Sequence, residues 1–139
     1  MKPKKIIFHE GIYTIRNSEV KDASSYVAKF DIPMGLILRD TIIRQRRNIQ
    51  NFQNSAKDYC FTILEGEEVI GLIEITSKIG THKQEGFAKI LLAGEANKKK
   101  EEVIEEIFIS FLKKAKLFYV VYIYKESRKK RYTRKVEIA

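Results

Sequence analysis

The sequence predicts a single α/β domain: a mixed, mostly antiparallel sheet with helices on both faces. Three observations carry that prediction. Strand-like and helix-periodic segments follow one another through the 139 residues as strand, two helices, three strands, helix, strand and a short end. Lys98 to Lys116 has the clearest apolar face in the chain, with Val103, Ile104, Ile107, Phe108, Phe111, Leu112 and Ala115 at helical spacing. Directly after it, Leu117 to Tyr124 is continuously apolar, as a strand buried on both faces is, and its position after a helix fits a parallel crossover beside Phe87–Leu92.

Taken in order, residues 1–11 read as a basic leader and Tyr13–Arg16 as the first strand, with Asn17 or Ser18 as a helix N-cap. Val20, Ala23, Val27 and Phe30 then recur at helical spacing. After Pro33 and Gly35 a second helical pattern places Leu38, Ile42, Ile49 and Phe52 beside Arg44, Arg46 and Arg47. Tyr59–Leu64 and Val69–Thr76 form an antiparallel hairpin around the acidic turn Glu65-Gly66-Glu67-Glu68. A polar loop leads to a third strand of that sheet, Phe87–Leu92, then the long helix, the apolar strand and a short last strand at Arg134–Ile138. No internal repeat and no linker divides residues 1–139, which read as one domain with a basic C-terminal segment over 125–139.

An apolar fraction of 44% is that of an ordinary globular chain with one core. A net charge of +9 favours phosphate-bearing or polyanionic partners. The lone Cys60 cannot form an intramolecular disulfide, and His9 and His82 lie far apart, so no metal pattern is present in the sequence. No apolar run is long enough to span a bilayer, and the N-terminus has no signal-peptide character; the expectation is a soluble, cytoplasmic protein.

The stretch LLAGEANKKKEEVIEEIF, Leu91 to Phe108, joins a strand to a helix through a glycine-containing turn. Backbone amides at a helix start attract anions, and three lysines, Lys98, Lys99 and Lys100, stand there against the helix dipole. That placement suits a bound phosphate. Three consecutive lysines are also the ordinary composition of a solvated surface, and Glu101 and Glu102 favour a helix N-terminus without any ligand.

The order of elements, with IYTIRNSEVKDASSY at the first strand and helix and FTILEGEEVIGLIEI at the hairpin, resembles the GNAT acetyltransferase superfamily. The matching residues are Ile15-Arg16, Asp22-Ala23 and Val69-Ile70-Gly71, and the resemblance runs from about Tyr13 to Tyr124. It implies acetyl-CoA as cofactor, bound through Arg/Gln-x-x-Gly-x-Gly/Ala between the fourth family strand and the long helix. Lys99, Lys100 and Glu102 fall near the Arg/Gln and the two glycine positions, so both glycines are absent, and Gly94 comes several residues earlier. On this frame the cofactor-binding candidates are Leu91, Leu92, Gly94, Lys98, Lys99 and Lys100. The family's last helix and hairpin are expected to be shortened here, and a homodimer is one way to complete an acceptor site.

The resemblance also implies a base for the acceptor ammonium, a hydrogen-bond donor for the thioester carbonyl and an acid for the departing thiolate. Glu74 and Glu85 are the carboxylates nearest the expected acceptor side, with His82 a third group that titrates near neutrality. The donor is a backbone N–H around Leu91 or Leu92. Tyr132 stands seven residues after Lys125, where the family has Asn, and is the acid candidate. Each has a plain structural alternative: exposed glutamates, a surface histidine, and Tyr122 and Tyr124 as sheet packing residues. Lys125 to Lys135 holds seven Lys/Arg and one acid, a composition that suits nucleic-acid phosphates or a solvated end. The expected function is acetyl transfer from acetyl-CoA to an amine; the alternative is an inactive GNAT-like binding or regulatory module acting through the basic surface on a protein or nucleic acid.

Overall fold

The computed structural model describes residues 6–29, 38–55, 58–77, 85–94, 97–125 and 134–138. Seven strands and three helices occur among them: β1 (Ile7–Glu10), β2 (Tyr13–Asn17), α1 (Asp22–Lys29), α2 (Leu38–Gln53), β3 (Tyr59–Glu65), β4 (Glu68–Ser77), β5 (Glu85–Leu92), α3 (Lys98–Ala115), β6 (Val120–Lys125) and β7 (Arg134–Glu137). The strands form one sheet in chain order, β1 to β7. Every neighbouring pair is antiparallel except β5 and β6, which run parallel on either side of the α3 crossover.

Two alternating sets of side chains place the core. On β3, Phe61 and Ile63 face α3 while Cys60 and Thr62 face the α1–α2 pair, the two-residue period of a strand. The α3 side is the larger cluster, where Phe8, Phe61 and Phe108 surround Phe111 with ring centroids 6.0, 4.9 and 6.2 Å away. The α1–α2 side holds Ala23, Ile49, Cys60 and Leu72, with Leu91 packed against them. Helices therefore cover both faces, as the sequence predicts.

Several local expectations change. Residues 7–10, read as part of a basic leader, are β1: Ile6 N–H donates to Asn17 Oδ1 at 2.6 Å, and the strand pairs with β2 around a turn at Gly11, whose φ is +60°. The sequence predicts Asn17 or Ser18 as the cap of the first helix. Instead Asn17 holds β1, Ser18 Oγ meets Thr62 Oγ1 at 2.9 Å, and α1 begins at Asp22, whose side chain accepts from Glu19 N–H. On α3 the predicted face is buried at Ile104, Ile107, Phe108, Phe111 and Leu112, but Val103 is exposed and Ile109 is buried in addition. Arg134 of β7 reaches Glu105 and Glu106 on the flank of α3 where Ile109 lies one turn beyond Glu105. β6 starts at Val120 rather than Leu117, and only Val121 and Ile123 on its α3 side are buried; Tyr122 and Tyr124 are half-buried on the other face beside Phe87.

The hairpin glycine has a packing reason. A Cβ on Gly71 would lie 2.8 Å from Leu92 Cδ2, 2.9 Å from Ile63 Cδ1 and 3.0 Å from the Leu91 carbonyl. Its neighbour Ile70 is the extra residue of a β-bulge, and the Ile70 carbonyl accepts from Ala93 N–H at 2.8 Å. β4 thereby grips the end of β5 and the first residue of the turn into α3.

Candidate functional site

The parallel register of β5 and β6 runs from Glu85↔Val120 to Ile90↔Lys125, so Leu91 and Leu92 lie beyond it and pair with Leu72 and Gly71 of β4. In α/β sheets, ligands bind outside the carboxyl ends of parallel strands, where one strand hands over to a helix. Here that end leads through Ala93 and Gly94 to α3. Gly94 has φ +89°, a conformation that side chains rarely adopt, and nothing lies within 4 Å of a Cβ built on it.

At the helix start Asn97 is the N-cap, and its side chain accepts from Lys100 N–H at 3.1 Å. Glu101 N–H closes onto the Asn97 carbonyl at 2.9 Å. The amides of Lys98 and Lys99 belong to the first turn, where a helix offers no carbonyl in return. Their side chains are exposed.

Lys100 is placed differently. Its Nζ lies 3.3 Å from Glu65 Oε2, and the other oxygen of Glu65 accepts from the Tyr13 hydroxyl at 3.3 Å. Burial first, then the charge of Glu65, push the Tyr13 phenol above its ordinary range. Tyr13 and Lys99 also line an open groove of about 720 Å³ between the β1–β2 turn and α3, walled by Ile12, Val103 and Ile107.

The sequence matches no protein-family model and no curated protein. Solved structures do resemble it. A ribosomal-protein-S5-alanine acetyltransferase from Vibrio fischeri superposes with a TM-score of 0.61 at 12% identity, over 85% of this chain and 73% of that one. A spermidine N-acetyltransferase (SpeG) chimera from Vibrio cholerae and hSSAT gives 0.63 at 14% identity, over 81% and 70%. RimL, a ribosomal L7/L12 alpha-N-protein acetyltransferase in complex with coenzyme A, gives 0.63 at 12% identity, over 85% and 73%. The chain has the GNAT fold.

On the GNAT frame the cofactor candidates come together at one place: Leu91 and Leu92 end β5, Gly94 makes the turn, and Lys98, Lys99 and Lys100 open α3. Leu91 faces the α1–α2 side and Leu92 the α3 side. The carboxylates separate. Glu74 pairs with Lys89 across β4 and β5, roughly 7 Å along the strand from Leu91. Glu85 starts β5, roughly 20 Å from Leu91 at the far end of the strand, so it shares a site with neither Leu91 nor Glu74. Tyr132 and His82 lie outside the described residues. Cys60 is buried, and burial is the main cause that pushes its thiol up to about 12.

Sequence reasoning missed Glu65, Tyr13 and Asn97. Asn97 carries a readable signal, an N-cap residue directly before a charged helical run. Glu65 and Tyr13 carry none, because Tyr13 meets Glu65 only through the pairing of β2 with β3, and Glu65 meets Lys100 only where β3 and α3 come together. No cluster of metal-ligating residues occurs among the described residues, and no helix among them is long and apolar enough to cross a membrane.

Proposed function

We propose that this GNAT-fold chain is an N-acetyltransferase that takes an acetyl group from acetyl-CoA to an amine. The observation that carries the reading is the positive-φ Gly94 after the β5 strand that runs beyond its parallel partner, followed by a helix that opens with the exposed Lys98 and Lys99. These residues fit a phosphate-bearing group: the first turn of α3 offers the amides of Lys98 and Lys99, their side chains are exposed, and nothing lies within 4 Å of a Cβ built on Gly94. When bound, acetyl-CoA supplies the thioester whose acetyl group the amine accepts. The backbone N–H of Leu91 or Leu92 is the proposed donor to the carbonyl oxygen, and Glu74 is the better placed of the two proposed bases, because it stands closer to that strand end than Glu85.

A second reading, an inactive binding module on the same fold, is favoured by one observation. Asn97 already takes the Lys100 amide and Glu65 the Lys100 ammonium, so fewer groups face an anion than a glycine-rich loop offers.

Calorimetric titration with acetyl-CoA, with desulfo-CoA and ATP as controls, separates the readings. Micromolar binding that weakens in a Lys98→Ala/Lys99→Ala chain supports the acetyltransferase and opens the search for its amine. No binding at millimolar acetyl-CoA overturns it in favour of the binding module.

A further inference from the structure

Glu65 sits at the end of β3, next to the Gly66 turn, yet its carboxylate reaches the opening turn of α3. Lys100 is only two residues, roughly 3 Å of axial rise, beyond Lys98, so its ammonium belongs to the same helix end as the two exposed lysines. Of the three, it is the one whose charge is matched among the described residues. The contact is about one-third exposed, with side-chain exposures of 35% for Lys100 and 31% for Glu65. An ion pair so open to water is weak and exchangeable. Tyr13 holds the other carboxylate oxygen and fixes Glu65 in place.

We propose that Glu65 is a resident anion that competes with the cofactor's phosphates for Lys100, and so sets how tightly this site takes a polyphosphate ligand. The proposal rests on the acetyl-CoA reading given above. With Glu65 in place, Lys98 and Lys99 supply the pairing charge, and Lys100 joins only when a more highly charged group displaces the carboxylate. Replacing Glu65 by an uncharged residue leaves Lys100 committed to the ligand from the start.

The test is a double-mutant cycle read by calorimetry, with CoA and with inorganic pyrophosphate, on the wild-type chain, Glu65→Gln, Lys100→Gln and the double variant. Glu65→Gln is expected to bind CoA about two- to fivefold more tightly, the range of an exposed ion pair, and that gain is expected to vanish in the Lys100→Gln background. In the otherwise wild-type chain, Lys99→Gln is expected to cost more affinity than Lys100→Gln, a comparison that leaves Glu65 untouched. Unchanged or weaker binding by Glu65→Gln, or a gain that persists without Lys100, overturns the competition while the wild type still binds. If no chain binds CoA, the acetyl-CoA reading and this proposal fall together.

Discussion

Arg16 and Asp22 form a two-pronged ion pair, with Arg16 Nη1 2.8 Å from Asp22 Oδ2 and Nη2 2.9 Å from Oδ1, which ties β2 to the first turn of α1. The same carboxylate accepts from Glu19 N–H at 2.8 Å and Thr62 Oγ1 at 2.9 Å, so one buried aspartate joins a strand, a helix start and the adjacent strand β3. Burial by itself raises the Asp22 carboxyl, but the hydrogen bonds from Arg16, Glu19 and Thr62 outweigh it and hold the group below its ordinary range.

Loss of either partner leaves a charge without its counterpart in the interior. Asp22→Asn and Arg16→Gln are each expected to cost about 3 kcal/mol in denaturant unfolding. Because the folded-state carboxyl is depressed, its contribution is present above the unfolded value and is lost as pH falls through the folded one. Wild-type stability should therefore drop below about pH 4, with a shallower acid loss in Asp22→Asn. Equal acid slopes in the two chains would count against this assignment.

Gly71 allows β4 and the end of β5 to approach. Gly71→Ala drives a Cβ against the side-chain ends of Leu92 and Ile63 and the Leu91 carbonyl, and is expected to destabilise by about 1–3 kcal/mol. Since the adjoining Ile70 carbonyl anchors Ala93, amide exchange at Ala93 and Gly94 is expected to quicken more than in the α3 core.

Cys60 should resist alkylation at pH 8 in the native chain and react once the chain is unfolded. Its thiol is buried, donates to Ser18 Oγ at 3.2 Å and is pushed up to about 12, so the reactive thiolate is scarce. Rapid native labelling would contradict this placement.

Lys116 ends α3 in the left-handed region, with φ 52°, and its N–H donates to the Leu112 carbonyl at 3.0 Å. Lys116→Gly keeps that bond without the Cβ clash and is expected to stabilise the chain by about 0.5–1 kcal/mol, raising the thermal midpoint.

Much of the architecture is legible in local pattern. The periodicity of Ile104, Ile107, Phe108, Phe111 and Leu112 is enough for α3, and Phe61 and Ile63 alternating with Cys60 and Thr62 are enough for β3. β1 was not legible. It is four residues at the sheet edge with no fully buried side chain, so burial leaves almost no imprint on its sequence. Ser18 looked like a cap because its residue type suits one, yet a serine hydroxyl serves a buried network as well as a helix end.

By itself the sequence determined the kind and order of the elements, the parallel crossover around α3 and the lysine-bearing turn after Leu92. Short-range periodicity, turn chemistry and helix-start residues encode those features within a few positions of the chain. Only the tertiary structure decided that Lys100 is spoken for by Glu65 while Lys98 and Lys99 face outward, and that Glu74 lies near the end of β5 while Glu85 lies far from it. Charge pairing acts through space, and Glu65 reaches Lys100 across 35 positions of sequence because β3 and α3 meet in the fold.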